Sequence, residues 1–434
     1  MLAYTRKERQ KSKTITRRVK RGGKYIGEGT YGCGFSPALR CEGETVRKFG
    51  LFTKLMSIDE AEKERKQGEI IKITDPKQNY FLYPVKVCKV NKSLLGKDNP
   101  ENNIKSCKKT FRDDLDSARA VQYIYGGVDL KKLTYSAEDV YPLFKGMVNL
   151  FQGLFKLQQD GVSHNDIKPE NVVYLKQTTG SFLIRYVDIG FIQKNKEEIT
   201  HPFESDYYVW PYEMRLTVDP EFSVTQKSVD DWHTANKHDS LGYLQYDHFF
   251  NPDKSRKLTK AFAEEIVETI KTKAKQSITP LNTSGTPQEQ AKKKQKYQDE
   301  YGKKIAEIIL KKVDTYSLGG ILLYLYTRIL QHHIEKGKIT YILNWSGKEV
   351  AVEDLESNHF SRESAMWHQE VAEKISKPFF KLCLSMMHLD PTQRPQVPIA
   401  LNTYKKKILP QMEIYFTPQN IQDHLKAYKR ATPP

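Results

Sequence analysis

The chain has 434 residues, of which 38% are hydrophobic and 11% aromatic, and its formal net charge is +17. This composition excludes a wholly disordered chain, and the length suits two or three domains or one two-lobed enzyme with insertions. The longest apolar stretch, GGILLYLYTRIL at 319–330, is too short for a transmembrane segment and contains an arginine, so it predicts a buried helix. Because the first residues contain no apolar stretch, we expect an intracellular protein without a secretory signal.

The first 22 residues predict a basic tail, with nine lysines and arginines against the single acid Glu8. We expect this tail to be solvated and disordered. The alternatives are that it binds nucleic acid or an anionic surface, or acts as a nuclear localisation signal. The sequence contains no pattern of a base-reading nucleic-acid module.

The chain then changes from strand-rich to helical, which predicts an α+β protein. Residues 23–125 favour strands around one helix, IDEAEKERKQGEIIKI, which the following Asp-Pro ends. Residues 126–213 and 314–410 are mostly helical in pattern. Between them, the lysine-rich residues 214–313 predict an insertion that is part helical and part flexible, and residues 411–434 a C-terminal extension.

Five cysteines are scattered along the chain without a CxxC pair, at positions 33, 41, 88, 107 and 383. An odd number at irregular spacing is not typical of a disulfide framework or of a zinc site. The cysteines therefore predict unpaired thiols in a reducing compartment.

A glycine-rich motif, GEGTYG, opens the strand-rich part and contains Gly27, Glu28, Gly29 and Gly32. Alone it is a weak signal, and a dinucleotide-binding fold would need it to open a helix. Strand-like residues follow instead, so the motif resembles the glycine-rich loop of protein kinases, whose backbone covers phosphates. On the next predicted strand, Lys48 is either a solvated edge lysine or, by this resemblance, the group that grips the α- and β-phosphates.

The stretch SHNDIKPEN at 163–171 resembles the protein-kinase catalytic loop, and YVDIGF further on resembles its Asp-Phe-Gly motif. The resemblance implies that Asp166 accepts the proton of the attacking hydroxyl and that Lys168 neutralises charge on the transferring phosphoryl group. It implies that Asn171 and Asp188 hold Mg²⁺, with Mn²⁺ as an alternative. Lys168, two residues after Asp166, is the serine/threonine form of this loop.

Three further motifs in the same order support this resemblance. The segment TFRDDLDSARAVQYIYGGVDL resembles the hinge, with Val121 as the gatekeeper and the backbone from Gln122 to Ile124 facing adenine. DTYSLGGILL resembles the buried helix whose aspartate, here Asp314, supports the catalytic loop. In DPTQRP, Arg394 is expected to pair with Glu213 at the end of the activation segment.

The chain is thus identified as similar to eukaryotic-type serine/threonine protein kinases, and its segment GGKYIGEGTYGCGFSPALRC also resembles the kinases of large nucleocytoplasmic DNA viruses. The implied fold is two-lobed, with a small β-rich lobe and a larger helical lobe. The implied function is transfer of the γ-phosphoryl group of Mg-ATP to serine or threonine of protein substrates, in host cytoplasm or virion if the chain is viral. The alternatives are a pseudokinase scaffold that binds through the tail and the insertion, a small-molecule kinase, and a nucleic-acid-binding structural protein. The oligomeric state stays open.

Four departures from the kinase pattern carry expectations of their own. Asn165 replaces an arginine that commonly binds an activation-loop phosphate, and Ile189 replaces the phenylalanine of Asp-Phe-Gly. Gly34 stands where a valine usually covers adenine, which predicts weaker nucleotide binding. The activation segment ends in WPYE. Finally, either Glu64, which we favour, or Glu69 pairs with the phosphate-binding lysine.

Overall fold

The computed structural model describes residues 24–29, 31–44, 50–91, 106–109, 114–195, 210–237, 258–282, 284–335, 338–344, 349–351, 370–417 and 419–420. The predicted tail and Lys48 lie outside the described residues, as does most of the C-terminal extension. The chain divides into two compact units. The first is Met1–Gln78 with Leu82–Gly126, and the second is Asn79–Phe81 with Gly127–Pro434.

The first unit is built on an antiparallel sheet of five strands. They are β1 (Lys24–Glu28), β2 (Gly32–Ser36), β3 (Leu51–Ser57), β4 (Lys86–Cys88) and β5 (Ala118–Ile124), in the order β1-β2-β3-β5-β4. Helix α1 (Ile58–Thr74) follows β3 directly. The Ser57 hydroxyl caps its N-terminus by accepting a hydrogen bond from the Glu60 amide, and the helix ends before Asp75-Pro76, which confirms the predicted helix and its breaker.

The two faces of this sheet are covered differently, because successive residues of a strand point to opposite faces. We call one the α1 face; it carries Phe52, Lys54, Met56, Val121 and Tyr123. The opposite face, here called the disulfide face, carries Cys33, Phe35, Leu55, Ala118 and Ala120. Both faces are apolar in their centre, as expected for the middle layer of a small unit.

Two disulfide bonds lie in the first unit, which corrects the prediction of unpaired thiols. Cys33 is bonded to Cys107, with their Cα atoms 5.8 Å apart, and Cys41 to Cys88, with Cα atoms 5.7 Å apart. In each pair a cysteine of a strand, Cys33 of β2 or Cys88 of β4, is bonded to a cysteine outside the strands, a meeting that spacing along the chain does not reveal. Cys383 is free and buried.

The second unit is mainly helical. Its helices are α2 (Val140–Gly146), α3 (Val148–Gln159), α4 (Gln226–Lys237), α5 (Lys260–Gln276), α6 (Pro287–Ile329), α7 (Lys377–Met386), α8 (Val397–Thr403) and α9 (Leu409–Tyr415). Its strands are β6 (Val128–Asp129), β7 (Val162–Ser163), β8 (Val172–Lys176), β9 (Phe182–Tyr186), β10 (Gln193–Lys194), β11 (Leu330–Glu335), β12 (Lys338–Asn344) and β13 (Glu349–Ala351).

Short strands frame the predicted catalytic segment. Strands β6, β8 and β9 form one antiparallel sheet in that order, and β7 pairs with β10. The segment 164–171 runs from β7 to β8, and Asp188 follows β9. Polar residues that sequence alone separates are therefore presented by neighbouring strand ends on a rigid support.

Helix α6 unites the predicted insertion with the predicted buried helix. It runs without a break for 43 residues and includes Asp314. Beyond Asp314 it is almost wholly buried, with Leu318, Leu322 and Leu323 inaccessible, so GGILLYLYTRIL lies mostly within a core helix as predicted. Within the described parts of the chain, we find no helix that combines the length and the apolar character of a membrane span.

The insertion has a core of its own that continues into the kinase-like part of the unit. Ile266 and Ile270 of α5 are buried in one cluster with Ile305 and Ile309 of α6. The same cluster includes Trp210, which precedes the insertion in sequence. The described part of the insertion is therefore folded against the end of the predicted activation segment. Residues 277–282 and 284–286 lie between α5 and α6 outside any helix or strand.

Candidate active site

A lysine–glutamate pair lies on the α1 face of the first unit. Lys54 Nζ is 3.1 Å from Glu64 Oε2 and 3.4 Å from Glu64 Oε1, and the two side chains are 17% and 7% exposed. Tyr123 on β5 donates its hydroxyl to the same carboxylate. Lys54 is directly opposite Val121 in the β3–β5 register, so its side chain points toward α1. Glu64 holds the ammonium group of Lys54 by a charge-assisted hydrogen bond.

The lysine of this pair is one that the sequence did not single out. Lys48 was expected to face Glu64 or Glu69, but Lys48 lies outside the described residues, and the lysine beside Glu64 is Lys54. Strand β3 begins at Leu51 and places Lys54 on the α1 face. Glu69 is exposed and lies 3.9 Å from Lys72. Of the two glutamates that were left open, Glu64 is therefore the one beside the strand lysine.

The glycine-rich motif falls on the β1–β2 hairpin, which contains Gly27, Glu28, Gly29 and Gly32. The Gly29 amide donates to the Gly32 carbonyl across the turn at 2.8 Å. A Cβ added at Gly32 would lie 2.5 Å from the Leu55 carbonyl oxygen, so this position needs glycine. The hairpin opens no helix, which agrees with the predicted β-turn-β arrangement. The Glu28 carboxylate accepts a hydrogen bond from the Lys108 amide at 2.9 Å.

The predicted hinge residues lie inside β5, and the structure corrects one of them. The Gln122 carbonyl accepts from the Val85 amide at 2.8 Å, and its side chain donates to the Leu39 carbonyl at 2.8 Å. Because β5 lies between two strands, these groups of Gln122 are used within the first unit by Val85 and Leu39. Val121 is fully buried on the α1 face. Ile124 is the last residue of β5 and is 37% exposed, so it stays a candidate.

The catalytic-loop residues come together in the second unit. Asn171 donates from Nδ2 to the Asp166 carbonyl at 2.9 Å and to Asp166 Oδ2 at 2.7 Å. Lys168 Nζ is 2.9 Å from Asp166 Oδ1. Asn171 is the last residue of the short helix Pro169–Asn171, and this turn returns its amide to Asp166, five positions earlier. Asp166 is only 2% exposed, so its carboxylate is oriented by an amide and an ammonium group rather than by bulk water.

A buried aspartate supports this loop from α6. Asp314 accepts hydrogen bonds from the His164 amide at 2.6 Å and from the Asn165 amide at 2.9 Å. Burial raises the pKa of Asp314 to about 6, and these two amide bonds oppose the rise. Burial lowers the pKa of His164 to about 4, so its imidazole is neutral at physiological pH, and it lies against Phe81 and Tyr186.

Asp188 lies two residues after Tyr186, the last residue of β9, and has a left-handed backbone conformation with φ of 58°. The preceding Val187 amide donates to the Asn171 carbonyl at 2.9 Å, which ties this turn to the catalytic loop. Ile189 is fully buried and keeps the apolar packing expected of this position. The carboxylate of Asp188 and the amide oxygen of Asn171 are hard oxygen donors, so this donor set fits Mg²⁺.

Asn165 connects the catalytic loop to both described ends of the predicted activation segment. Its side-chain Nδ2 donates to the Phe191 carbonyl at 3.0 Å. Its own carbonyl accepts from Trp210 Nε1 at 2.6 Å. Asn165 adopts φ of 63°, a conformation that asparagine tolerates better than most residues. The residue that replaces the expected arginine therefore makes one hydrogen bond to each described end of the segment.

A buried ion pair closes the other end of the segment. Arg394 Nη1 is 2.6 Å from Glu213 Oε1, and both side chains are fully buried. Arg394 also donates to the His388 carbonyl at 2.6 Å and to the Leu389 carbonyl at 3.2 Å. Burial raises the pKa of Glu213, and the Arg394 charge opposes this rise. The two residues expected to pair from distant motifs are in direct contact.

Sequence reasoning missed three residues of this arrangement: Lys54, Tyr123 and Trp210. Tyr123 lies two residues after Val121 on β5, so strand alternation along β5 could have revealed it, whereas Lys54 shares that face only through the pairing of β3 with β5. For Trp210, nothing in the local sequence indicates its contact with Asn165, because the two residues meet only through the folded chain.

Comparison with known proteins gives weak and partial matches to protein kinases. No family model matches the chain. The chain is 25% identical over 166 residues to calcium-dependent protein kinase 5 of Plasmodium falciparum, covering 38% of this chain and 28% of that protein. It is 24% identical over 151 residues to ribosomal protein S6 kinase alpha-4 of the mouse, covering 33% of this chain and 18% of that protein. The matches thus span less than a third of the relatives' length, and they support a protein kinase at that level of detail.

Proposed function

We propose that the chain is a protein kinase that transfers the γ-phosphoryl group of ATP to serine or threonine hydroxyls of protein substrates. The observation that carries this proposal is the buried Asp166 carboxylate, held between Asn171 and Lys168. The similarity to named protein kinases supports the same reaction class. The resemblance to viral kinases stays a prediction from the sequence.

Asp166 is the group we assign to the attacking hydroxyl. As the substrate oxygen forms its bond to the γ-phosphorus, its proton passes to an Asp166 oxygen, and the bond from that phosphorus to the β,γ-bridging oxygen breaks to leave ADP. The Asn171 amide holds the carboxylate in orientation through one oxygen. Lys168 contacts the carboxylate at 2.9 Å, close enough for its ammonium group to balance charge on the phosphoryl oxygens.

Phosphate and metal binding use other groups of the same chain. Lys54, oriented by Glu64, is the candidate for the α- and β-phosphates, together with backbone amides of the β1–β2 hairpin. Asp188 and Asn171 would hold Mg²⁺, which when bound neutralises the phosphate oxygens. The carboxylate Asp166, which has its own ammonium and amide partners, stays available as the proton acceptor.

The test is a transfer assay with purified protein, γ-labelled ATP, Mg²⁺ and a panel of protein substrates, followed by phosphoamino-acid analysis. We expect label on serine or threonine. Asp166→Asn should lower transfer at least about a hundredfold while nucleotide binding persists. Asp160→Asn is the matched control, since it makes the same change at an exposed aspartate six positions earlier in the chain. Equal activity of wild type and Asp166→Asn, or label only on small molecules, would reject the proposal.

A further inference from the structure

The α1 face of the first unit has a gap in its side chains beside Lys54. Gly34 is directly opposite Lys54 in the β2–β3 register, so any side chain at this position would point to the α1 face. A Cβ added at Gly34 would lie 3.0 and 3.1 Å from two ring atoms of Phe52, and 3.3 Å from Ile26 Cγ1. The space that a side chain at Gly34 would occupy is therefore already taken by the Phe52 ring.

Phe52 occupies this space from the neighbouring strand. It lies two residues before Lys54 in β3 and shares its face. Its ring is half-buried, with its centroid 6.1 Å from that of Tyr123, at the edge of the cluster that contains Val121. Ile26 on β1 is 49% exposed. Phe52 and Ile26 thus form a partly exposed apolar surface next to the lysine assigned to the phosphates.

The end of β5 adds backbone groups near this surface. The Tyr125 amide donates to the Gly50 carbonyl at 2.7 Å, which sets the hydrogen-bonding parity between β3 and β5. Since hydrogen-bonded and non-hydrogen-bonded pairs alternate along two antiparallel strands, the amide and carbonyl of Ile124 point away from β3. They point to the side of β5 on which β4 lies, and the pairing of β4 with β5 ends at Gln122. Phe52 is directly opposite Tyr123, the residue before Ile124.

We propose that Phe52 and Gly34 act as a pair that sets nucleotide affinity, with the Phe52 ring forming the apolar surface against which the base of ATP packs. This inference rests on the proposed kinase function. A base presents an aromatic face, and stacking on a side-chain ring contributes about 1–3 kcal/mol per base in nucleic-acid complexes. The lack of a side chain at Gly34 predicted weaker nucleotide binding. With Phe52 in that space, we expect no such weakening, since the phenylalanine ring on β3 is larger than the valine side chain that it replaces.

The test is a set of three variants assayed for the ATP dependence of transfer. Phe52→Ala should raise KM for ATP about tenfold with kcat nearly unchanged, because it removes about 1.4 kcal/mol of stacking. Gly34→Val should raise it by a similar factor, because the new side chain displaces the ring. The double variant should bind ATP within about threefold of wild type, far from the product of the two single effects, since valine then occupies the space left by the ring.

Two controls separate base contact from general damage. Leu51→Ala shortens a side chain of the same strand on the disulfide face and should leave KM for ATP unchanged. Inorganic tripolyphosphate, which has no base, should inhibit wild type and all three variants with the same constant, and thermal unfolding of each variant should report a folded protein.

The outcomes distinguish the two proposals. An unchanged KM for ATP in Phe52→Ala, or a double variant no better than Gly34→Val, would overturn the role of the pair in an active kinase. If the inhibition constant of tripolyphosphate rises together with KM for ATP, the role of the pair is also overturned. The variants would then weaken phosphate binding at Lys54 and not contact with the base. If wild type transfers no phosphate from ATP, the kinase function itself fails.

Discussion

Asn165 predicts an enzyme that is active without phosphorylation of its activation segment. The described ends of the segment are attached to the catalytic loop by two neutral hydrogen bonds of Asn165, to Phe191 and from Trp210. A third attachment is the pairing of β10 with β7. At about 1 kcal/mol net for each, these attachments favour the ordered ends by about 3 kcal/mol, or roughly 150-fold.

A phosphate on the activation segment can therefore add little to the population of molecules whose segment ends are ordered. If the ends are already ordered in more than about 99% of molecules, further stabilisation of the same state changes its population by less than about 1%. Asn165 also lacks the charge that would form a strong pair with a phosphate. The candidate acceptors Thr200, Ser205, Tyr207 and Tyr208 lie outside the described residues.

The assay compares initial rates on an exogenous substrate before and after phosphatase treatment, with mass spectrometry to show that residues 191–213 carry no phosphate. We expect equal rates. Asn165→Ala should lower the unphosphorylated rate, since it loses the bond to Phe191 and adds about 1 kcal/mol of backbone strain at φ of 63°. A drop of about tenfold or more after dephosphorylation, restored by phosphate on one segment residue, would refute the reasoning.

Three further predictions follow from the buried polar groups. Asp188→Asn should weaken Mn²⁺ binding, measured by titration calorimetry, and abolish transfer, whereas Asp166→Asn should spare metal binding; equal loss of metal in both would contradict the assignment of roles. Arg394→Met should lower the free energy of unfolding in urea by about 3–5 kcal/mol, and adding Glu213→Leu should recover part of it, because no unpaired buried charge remains; no recovery would argue against the pair. Since burial lowers the pKa of His164 from 6.5 to about 4, the unfolded chain binds the proton first as pH falls through this range, and wild type loses stability there. The free energy of unfolding of His164→Asn is expected to be lower than that of wild type at neutral pH, and this difference should shrink by up to about 3 kcal/mol between neutral pH and pH of about 4. A difference in unfolding free energy that stays constant with pH would contradict this.

The catalytic loop was predictable because its residues are contiguous. Asp166, Lys168 and Asn171 lie within six positions of one another, so a single short turn brings them together whatever the rest of the chain does. Their chemistry, a carboxylate between an ammonium and an amide, is also visible in the residue types. Local sequence therefore carries the geometry of this part of the site.

The lysine and the hinge were not predictable in the same way. Lys48 and Lys54 both follow residues that favour strands, and their assignment depends on where β3 begins. The two lysines are six positions apart, so strand alternation assigns both to the same face and cannot choose between them. Gln122 was similarly misjudged because its position between two strands depends on the strand order, which no local pattern encodes. The cysteine pairs depend on the same long-range register.

The described part of the predicted insertion belongs to the second compact unit. Its residues form the N-terminal part of α6, the helix that also carries Asp314 and so supports the catalytic loop. Its core contains Tyr212 and Met214 on either side of Glu213, whose ion pair with Arg394 is fully buried. Because α6 is continuous, a displacement of the insertion core would act on the same helix that holds His164 and Asn165 through Asp314. The described part of the predicted insertion is thus a structural part of the unit that presents Asp166. Its lysines within 292–296 are exposed, so they are candidates for contact with a partner.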